Sequence, residues 1–389
     1  MQPRIDLAAL HGRYDLLIIG GGVMGLWAAV KAERLGIRTL LLDAVRPASG
    51  ASGGLLGALM AHMPDQWNDK KQFQLEALIA LESEVAALEA ETGLSCGYRR
   101  SGRLIPLPKP HLLPLAERRA PAAAENWRSG GRCFSWTVRD TSPDPLWLSP
   151  DACSAGVIED TLAARISPRA LTAALVAAID AGRHVQRVDG LSVRRLQPGE
   201  AELSDGRRMA FGHAIVAAGT GSFDLLAQLG APLARPLGSA VKGQAALLEA
   251  DVDPALPIIF LNGLYVVPHE DGRIAIGSTS EDEFDDPRST DHRLDALLAR
   301  AREVSPKLQD ARVVERWAGV RPKAIDREPM VGPHPDAPQV IALTGGFKVS
   351  FGIAHRLADA ALGPLGGRDV LLPDGFEMSH HLQVAQKPL

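Results

Sequence analysis

Residues 14–43 read YDLLIIGGGVMGLWAAVKAERLGIRTLLLD, two apolar runs with a glycine cluster and a helix-compatible segment between them. Leu16, Leu17, Ile18 and Ile19 form a continuous apolar run, as a strand buried on both faces of a parallel sheet does. Gly20, Gly22 and Gly25 follow with the spacing G-x-G-x-x-G. Leu26, Ala28, Ala29, Val30, Ala32 and Leu35 then predict a helix whose small residues pack closely on the sheet. A second apolar run, residues 37–42, ends at Asp43. In such a unit the first glycine permits the tight turn, the second lets backbone approach a pyrophosphate, and the third lets helix and strand touch. The helix N-terminus adds unpaired N–H groups and a favourable dipole. Asp43 stands where a carboxylate would accept ribose hydroxyls, and an acid there disfavours the extra phosphate of NADP. The stretch predicts a site for the ADP half of a dinucleotide.

The rest of the composition narrows the setting. A chain of 389 residues, 46% hydrophobic and 23% charged, is long enough for about two domains. A net charge of -4 and the absence of a Lys/Arg block argue against nucleic acid as a partner. Cys96, Cys133 and Cys153 are odd in number and far apart, so neither a disulfide framework nor a metal site is expected, and a reducing cytoplasm fits. The longest apolar stretch, residues 16–30, is too short for a bilayer and is broken by three consecutive glycines. It also follows a mixed-charge segment and leads straight into the glycine motif, unlike a secretory signal, so no membrane segment is expected.

Beyond Asp43 the chain continues RPASGASGGLLGALM (46–60), small residues over which backbone could approach a long cofactor, while Leu55, Leu56, Leu59 and Met60 predict burial of the second half. Further segments are RISPRAL (165–171) leading into an Ala-rich helix to Ala181 and a strand at 184–188, and AIVAAGTG (214–221). GLYVVP (263–268) with DGRIAIG (271–277) follows, then WAGVRP (317–322), EPMVG (328–332) and TGGFKVSFG (344–352). With residues 14–43, these segments resemble in order and spacing the glycine oxidase and D-amino acid oxidase family of FAD-dependent enzymes, glycine oxidase most nearly. The glycines alone fit NAD or FAD; the resemblance implies FAD.

It implies a Rossmann-like FAD-binding domain, an α/β doubly wound parallel sheet assembled from residues 1–83, 146–230 and 322–389. A substrate-binding domain with a mixed, mainly antiparallel sheet would come from 84–145 and 231–321. The pattern agrees: 14–43, 165–220 and 338–362 alternate short apolar strands with helices, whereas 84–145 and 231–320 are rich in Pro, charge and hairpin-like runs. Eight prolines in 106–150 predict an irregular segment there. A helix over about 72–91 has Leu78, Val85 and Leu88 on one side and a solvated acidic face.

The implied FAD contacts begin with Gly20, Gly22, Val23, Met24 and Gly25, then Asp43 and Ala44. Ser49, Ala51, Ser52, Gly54 and Leu55 follow in the small-residue run, and Val188, Ala218 and Gly219 in the middle of the chain. Gly319, Arg321, Gly346, Phe347, Lys348, Val349, Ser350, Phe351 and Gly352 complete them. Residues 345–352 precede an apolar helix whose N-terminus would face the flavin and stabilise negative charge on its reduced ring. Residues 326–348 contain no cysteine and one histidine, His334, so the resemblance implies non-covalent FAD.

Arg321 matches the family's carboxylate-binding arginine: a guanidinium holds a carboxylate through two parallel hydrogen bonds and keeps its charge. A surface salt bridge is the alternative. Tyr265 matches the family's active-site tyrosine, with core packing as its alternative. Lys348 departs from the arginine expected there, putting a point charge in place of a planar fork and leaving open which acidic group, if any, it binds. His62 is a fourth candidate lining residue. Trp27, Trp127, Trp136 and Trp147 read as core or interface residues.

The expected activity is oxidation of the C–N bond of a small carboxylate-bearing amino acid or secondary amine by hydride transfer to flavin, imine hydrolysis to an oxo acid, and reoxidation by O2 to H2O2. Alternatives are a dehydrogenase serving a quinone or partner subunit, a 2-hydroxy acid oxidoreductase, and a non-catalytic FAD-carrying subunit. A homo-oligomer is compatible with any of these.

Overall fold

In a computed structural model that describes residues 14–388, the first apolar run forms strand β1 (Tyr14–Ile19), and every residue in it but Asp15 is buried. The mixed-charge segment 1–13 and residue 389, which the expected domain bounds include, lie outside the described residues. Helix α1 (Val23–Arg34) follows the glycines, with Lys31 and Arg34 in its last turn, where cations complement the helix dipole. Strand β2 (Thr39–Asp43) begins two residues later than the apolar run suggests. Pairing explains the shift: the Arg38 carbonyl accepts from Asp15 and Leu16, and ladder register starts at Leu16 opposite Thr39.

Two compact units emerge. One joins the chain up to Ser52 with Thr172–Ala240 and the chain from Arg321 onward; the other joins Gly53–Leu171 with Val241–Val320. Strands Gly238–Glu249 and Arg312–Ala324 carry the chain across two of the boundaries, and helix Pro168–Ala181 across a third.

The first unit is a doubly wound parallel sheet. Strand β3 (Val185–Asp189) lies beside β2, β2 beside β1, and β1 beside β4 (Arg208–Val216), all parallel. Beyond β4 comes the parallel β6 (Ala337–Thr344), with β5 (Met330–His334) antiparallel at its side. Leu16, Leu17, Ile18, Leu40, Leu41, Ala214 and Ile215 are wholly buried, each large aliphatic contributing roughly 1.5–3 kcal/mol. Helix α2 (Ser350–Leu362) packs against α1 through an edge-to-face contact of Trp27 with His355 at 5.9 Å and a largely buried Lys31–Asp359 ion pair at 2.9 Å. It starts inside the 345–352 run rather than after it, so Gly352 lies in its first turn.

The second unit's sheet runs, edge to edge, through 312–324, 238–249, 273–277, 264–268, 258–261, 103–106, 157–160 and 136–139. Ile258–Leu261 pairs in parallel with Arg103–Pro106, and the neighbouring ladders are antiparallel, giving the expected mixed sheet. Helix Asp69–Thr92 starts at an Asn68 cap bonded to the Lys71 amide and ends at Gly93 with φ 70. Leu78, Val85 and Leu88 are on its buried side, with Phe73 and Leu81.

The proline-rich segment is not irregular throughout. Residues Leu113–Asn126 form a helix with Pro114 in its first turn, where no N–H is needed, and Pro121 inside. Pro121 and Glu117, whose carbonyl the missing N–H would have met, are exposed, so water serves that carbonyl. Buried Ala116 and Ala123 seat the opposite side, where the Trp136 indole donates to the Ala116 carbonyl at 2.9 Å.

A clamp absent from any motif ties α1 to β3. The Glu33 carboxylate accepts backbone N–H groups of Arg183, His184 and Val185, each at 2.8 Å, and a Cβ at Gly182 would come within 2.3 Å of it. Partial burial works to raise the Glu33 pKa, but the three amides outweigh it and hold the carboxyl below its ordinary range. A depressed folded pKa contributes stability above the ordinary glutamate range, lost as pH falls through the folded value. Glu33→Ala is expected to cost roughly 2 kcal/mol at pH 7 in denaturant unfolding, and the difference from wild type should shrink at acid pH; equal stability at pH 7 would remove the clamp from the account.

Candidate active site

The glycine turn is built by backbone contact. Gly20, with φ 105, ends β1; a Cβ there would lie 2.4 Å from the Ala217 carbonyl oxygen, and one on Gly25 would lie 1.9 Å from the Gly20 oxygen. Neither position accepts a side chain. Gly22 is the N-cap of α1 and has no side-chain cap; a Cβ there would meet only the Ser52 hydroxyl, at 3.3 Å. That hydroxyl accepts the Val23 N–H at 2.9 Å, and first-turn amides beyond it have no carbonyl partner within a helix.

Asp43 does structural work as well. One carboxylate oxygen accepts the Gly21 N–H at 2.8 Å and the other the Val45 N–H at 2.9 Å, fixing the glycine turn and the chain through Ala44. Each oxygen retains a lone pair for a ribose hydroxyl. Ala48, at φ 57, donates to the Gly21 carbonyl at 2.9 Å; Ser49 bonds back to Arg46, and Ala51–Gly53 forms a 3-10 turn. Val188 lies buried beside Leu42, and Ala218 and Gly219 follow β4. Gly219, at φ 59, has open space around the position of a Cβ, and the Thr344 hydroxyl donates to its carbonyl at 3.1 Å. A helix start with no cap from its own Gly22, open space above Gly219 and an acid at the end of β2 fit an adenine dinucleotide.

The C-terminal segment converges on the same turn. Gly345, at φ 75, leaves 2.7 Å between an added Cβ and that of Ala324, and a Cβ on Gly346 would meet Met24 Cε at 2.3 Å and Ser350 Oγ at 2.6 Å. Lys323 forms an isolated antiparallel bridge with Gly346. Arg321, two residues earlier on the same strand face, thereby sits beside Phe347. Its guanidinium carbon is 5.5 Å from the Phe347 ring centroid, and Lys348 Nζ is 5.4 Å from the same centroid. Phe347 takes φ 44, a left-handed conformation that costs a bulky residue about 1–2 kcal/mol. Although the Lys348 side chain as a whole is exposed, protein around its ammonium and then the Arg321 charge push its pKa down. Val349 is the N-cap of α2, with no side-chain cap, ahead of Ser350, Phe351 and Gly352 in the first turn.

In the second unit, Gly54 and Leu55 are buried, and the Leu55 carbonyl accepts from His269 Nε2 at 2.9 Å. Leu55 belongs to an apolar cluster with Ala245, Leu247, Ile258, Val267 and Ala275, against which Leu56, Met60, Trp317 and Tyr265 pack. Tyr265 is half-buried, its ring 4.8 Å from that of Phe260. Gly319 is buried where a Cβ would strike the Trp317 indole at 2.4 Å, so in this unit its role is to seat that ring. The three other tryptophans of the core reading that lie here, Trp127, Trp136 and Trp147, are buried, as is Trp27 in the first unit.

His62 follows this small-residue run. Gln74, which sequence reading passed over because glutamine in an amphipathic helix carries no distinctive spacing, accepts the His62 N–H at 2.9 Å and donates to the Met60 carbonyl at 3.2 Å. Burial first, then Lys70 and Lys71, push the His62 pKa down to about 4, so the imidazole is neutral at physiological pH. A histidine depressed on folding costs nothing above its ordinary value near 6.5 and destabilises as pH falls from there toward 4. Between pH 7 and 5 that penalty is about 2 kcal/mol. His62→Gln should lose less stability than wild type over this interval in urea unfolding at saturating cofactor; parallel losses would show that His62 is not held neutral.

Among the described residues no helix is long and apolar enough to cross a membrane, and no cluster of His, Cys, Asp and Glu has metal-binding geometry. The sequence pattern of the DAO family, described as FAD dependent oxidoreductase, matches residues 15–360. Glycine oxidase of Geobacillus kaustophilus is 27% identical over 353 residues, covering 86% of this chain and 88% of that protein. The crystal structure of a glycine oxidase from the same organism superposes with a TM-score of 0.82 at 23% identity, covering 95% of this chain and 99% of that one. Iminodiacetate oxidase from Chelativorans sp. BNC1 superposes with a TM-score of 0.79 at 24% identity, over 93% and 98% of the two chains. With a family match over most of its length and a turn, acid and helix start that suit an adenine dinucleotide, the chain belongs to the DAO family of FAD-dependent oxidoreductases.

Proposed function

We propose that the protein oxidises the C–N bond of a small amine that carries a carboxylate, with Arg321 as the carboxylate anchor. The observation that carries this reading is the placement of the Arg321 guanidinium against Phe347, beside the start of α2. Similarity to glycine oxidase of G. kaustophilus supports an amino acid or related amine as substrate. FAD, when bound, supplies the two-electron acceptor for hydride from the substrate carbon, and its reoxidation by O2 yields hydrogen peroxide.

What the chain's own residues do follows from charge and reach. Arg321 can bind both carboxylate oxygens in parallel and cannot lose its proton, which fixes the α-carbon's position at any working pH. Hydride leaves the carbon only if the amine lone pair is available, and cations nearby make the ammonium form less favourable. A cation beside the amine therefore favours its reactive neutral form. In the second unit, Tyr265 is half-buried and its hydroxyl is able to hydrogen-bond. Neutral His62 is unsuited to holding an anion. FAD is held without a covalent bond, in keeping with the lack of cysteine in residues 326–348. Three free thiols, with Cys96 and Cys153 buried, support a reducing compartment such as the cytoplasm.

Arg321→Ala should lower kcat/KM for the best carboxylate substrate by about a hundredfold or more, mostly through KM, as loss of a bidentate charged contact does. Arg321→Lys should recover part of it, since one point charge replaces the fork. Peroxide formation in air and anaerobic bleaching of the flavin with a panel of amino acids and N-substituted amino acids would report both. Unchanged KM for every carboxylate substrate in Arg321→Ala would end the assignment.

A further inference from the structure

Lys348 lies beside a second cation, Arg321, at the start of α2. Two largely buried cations of the same unit are paired. Lys31 Nζ lies 2.9 Å from Asp359, and Arg187 bonds the carboxylates of Asp180 and Asp189. Among the described residues no carboxylate pairs with Lys348. The influences on its charge are burial and a second cation, Arg321, and both oppose it. An ammonium next to a guanidinium is repelled by it, and an anion that reaches both relieves that repulsion.

One aromatic ring brings the two cations together. Phe347 stands at a left-handed φ of 44, following two glycines whose Cβ positions are filled by Ala324, Met24 and Ser350. Neither glycine has room for a side chain. The Phe347 ring presents Arg321 at 5.5 Å and Lys348 at 5.4 Å from one centroid, two positive groups within the span of one small molecule. An α-carboxylate held by Arg321 leaves Lys348 to meet whatever the substrate carries at its other end. A neutral group there would leave Lys348 without an anion. A second anion would meet it.

We propose that the preferred substrates are amines bearing two anionic groups, one carboxylate for Arg321 and a second carboxylate or a phosphonate for Lys348, as in N-carboxymethyl amino acids and amino dicarboxylates. This rests on Arg321 as the carboxylate anchor. Lys348 then acts as a specificity-determining residue: it selects by charge at the far end of the substrate and takes no part in moving the hydride.

Two thioethers that contain no amine to oxidise separate the terms: thiodiacetate, with two carboxylates, and (methylthio)acetate, with one. Their dissociation constants for the FAD-loaded enzyme are read by perturbation of flavin absorbance and by calorimetry. In wild type, thiodiacetate is expected to bind about ten- to a hundredfold more tightly, the size of one added charged hydrogen bond. Lys348→Met should collapse that ratio to near one by weakening the diacid, while Lys348→Arg should keep most of it; FAD content by absorbance confirms that the variants fold and load. Equal affinities in wild type, or a ratio that survives in Lys348→Met, would overturn the proposal. So would a Lys348→Met variant that loses FAD affinity with the ratio intact, which would assign the lysine to the cofactor. Failure of the anchor shows differently, as (methylthio)acetate binding that Arg321→Ala leaves unchanged, and failure of both thioethers to bind wild type would overturn both readings.

Discussion

The contact on which the first unit depends is backbone against backbone: an added Cβ on Gly25 would sit 1.9 Å from the Gly20 oxygen, and one on Gly20 would sit 2.4 Å from that of Ala217. Three chain segments meet there with no side chain between them, so α1 is pressed to the sheet at its first turn. Once α1 is seated, its other contacts are determined. Trp27 reaches His355, Lys31 reaches Asp359, and Met24 closes over Gly346. The start of α2 is thus placed relative to the glycine turn by α1, and two helix N-termini without side-chain caps belong to one packed framework. Any residue larger than glycine at these positions would push apart elements that have to hold a single long cofactor.

Much of this was legible in the residues because it rests on local spacing. Glycine positions, the acid at the end of β2 and the apolar runs of β1 and β2 are short-range patterns that the parallel sheet imposes on any sequence. Less legible were features made by distant partners or by tolerance of an exception. Glu33 looks like an ordinary surface acid near a helix end, and only the return of the chain at 183–185 gives it three amides to hold. Pro121 reads as a helix breaker, yet its missing hydrogen bond faces water while alanines and a tryptophan seat the other side. The left-handed φ of Phe347, directly after two glycines with no room for a side chain, is a conformation no propensity of phenylalanine foretells.

A division of labour follows from which constraints are local. The glycine turn specifies where a dinucleotide lies and nothing about what is oxidised, because its close contacts, backbone against backbone with the Asp43 and Ser52 side chains on its amides, shape the turn itself. Chemistry that discriminates has to come from side chains that the framework holds at a cost. Phe347 pays in backbone conformation, at about 1–2 kcal/mol, and Lys348 stands beside a like charge. Neither cost improves folding. Strain and uncompensated charge persist in a stable protein where surrounding packing overdetermines them, and they concentrate at sites that act on a ligand.

The same logic distinguishes Lys348 from the other unusual ionisable groups. Burial pushes Cys96 up to about 12 and Cys153 up to about 11, and it pushes His62 down to about 4. Each of these groups escapes the penalty of burial by remaining neutral, which makes it inert at physiological pH. Lys348 differs in kind: protein around its ammonium and then the Arg321 charge push its pKa down from an ordinary value near 10.5. Both influences disfavour a cation there, and a bound anion opposes them. The gain appears as affinity for the ligand rather than as stability of the protein, and the second negative charge of a substrate is the chemical feature that can collect it.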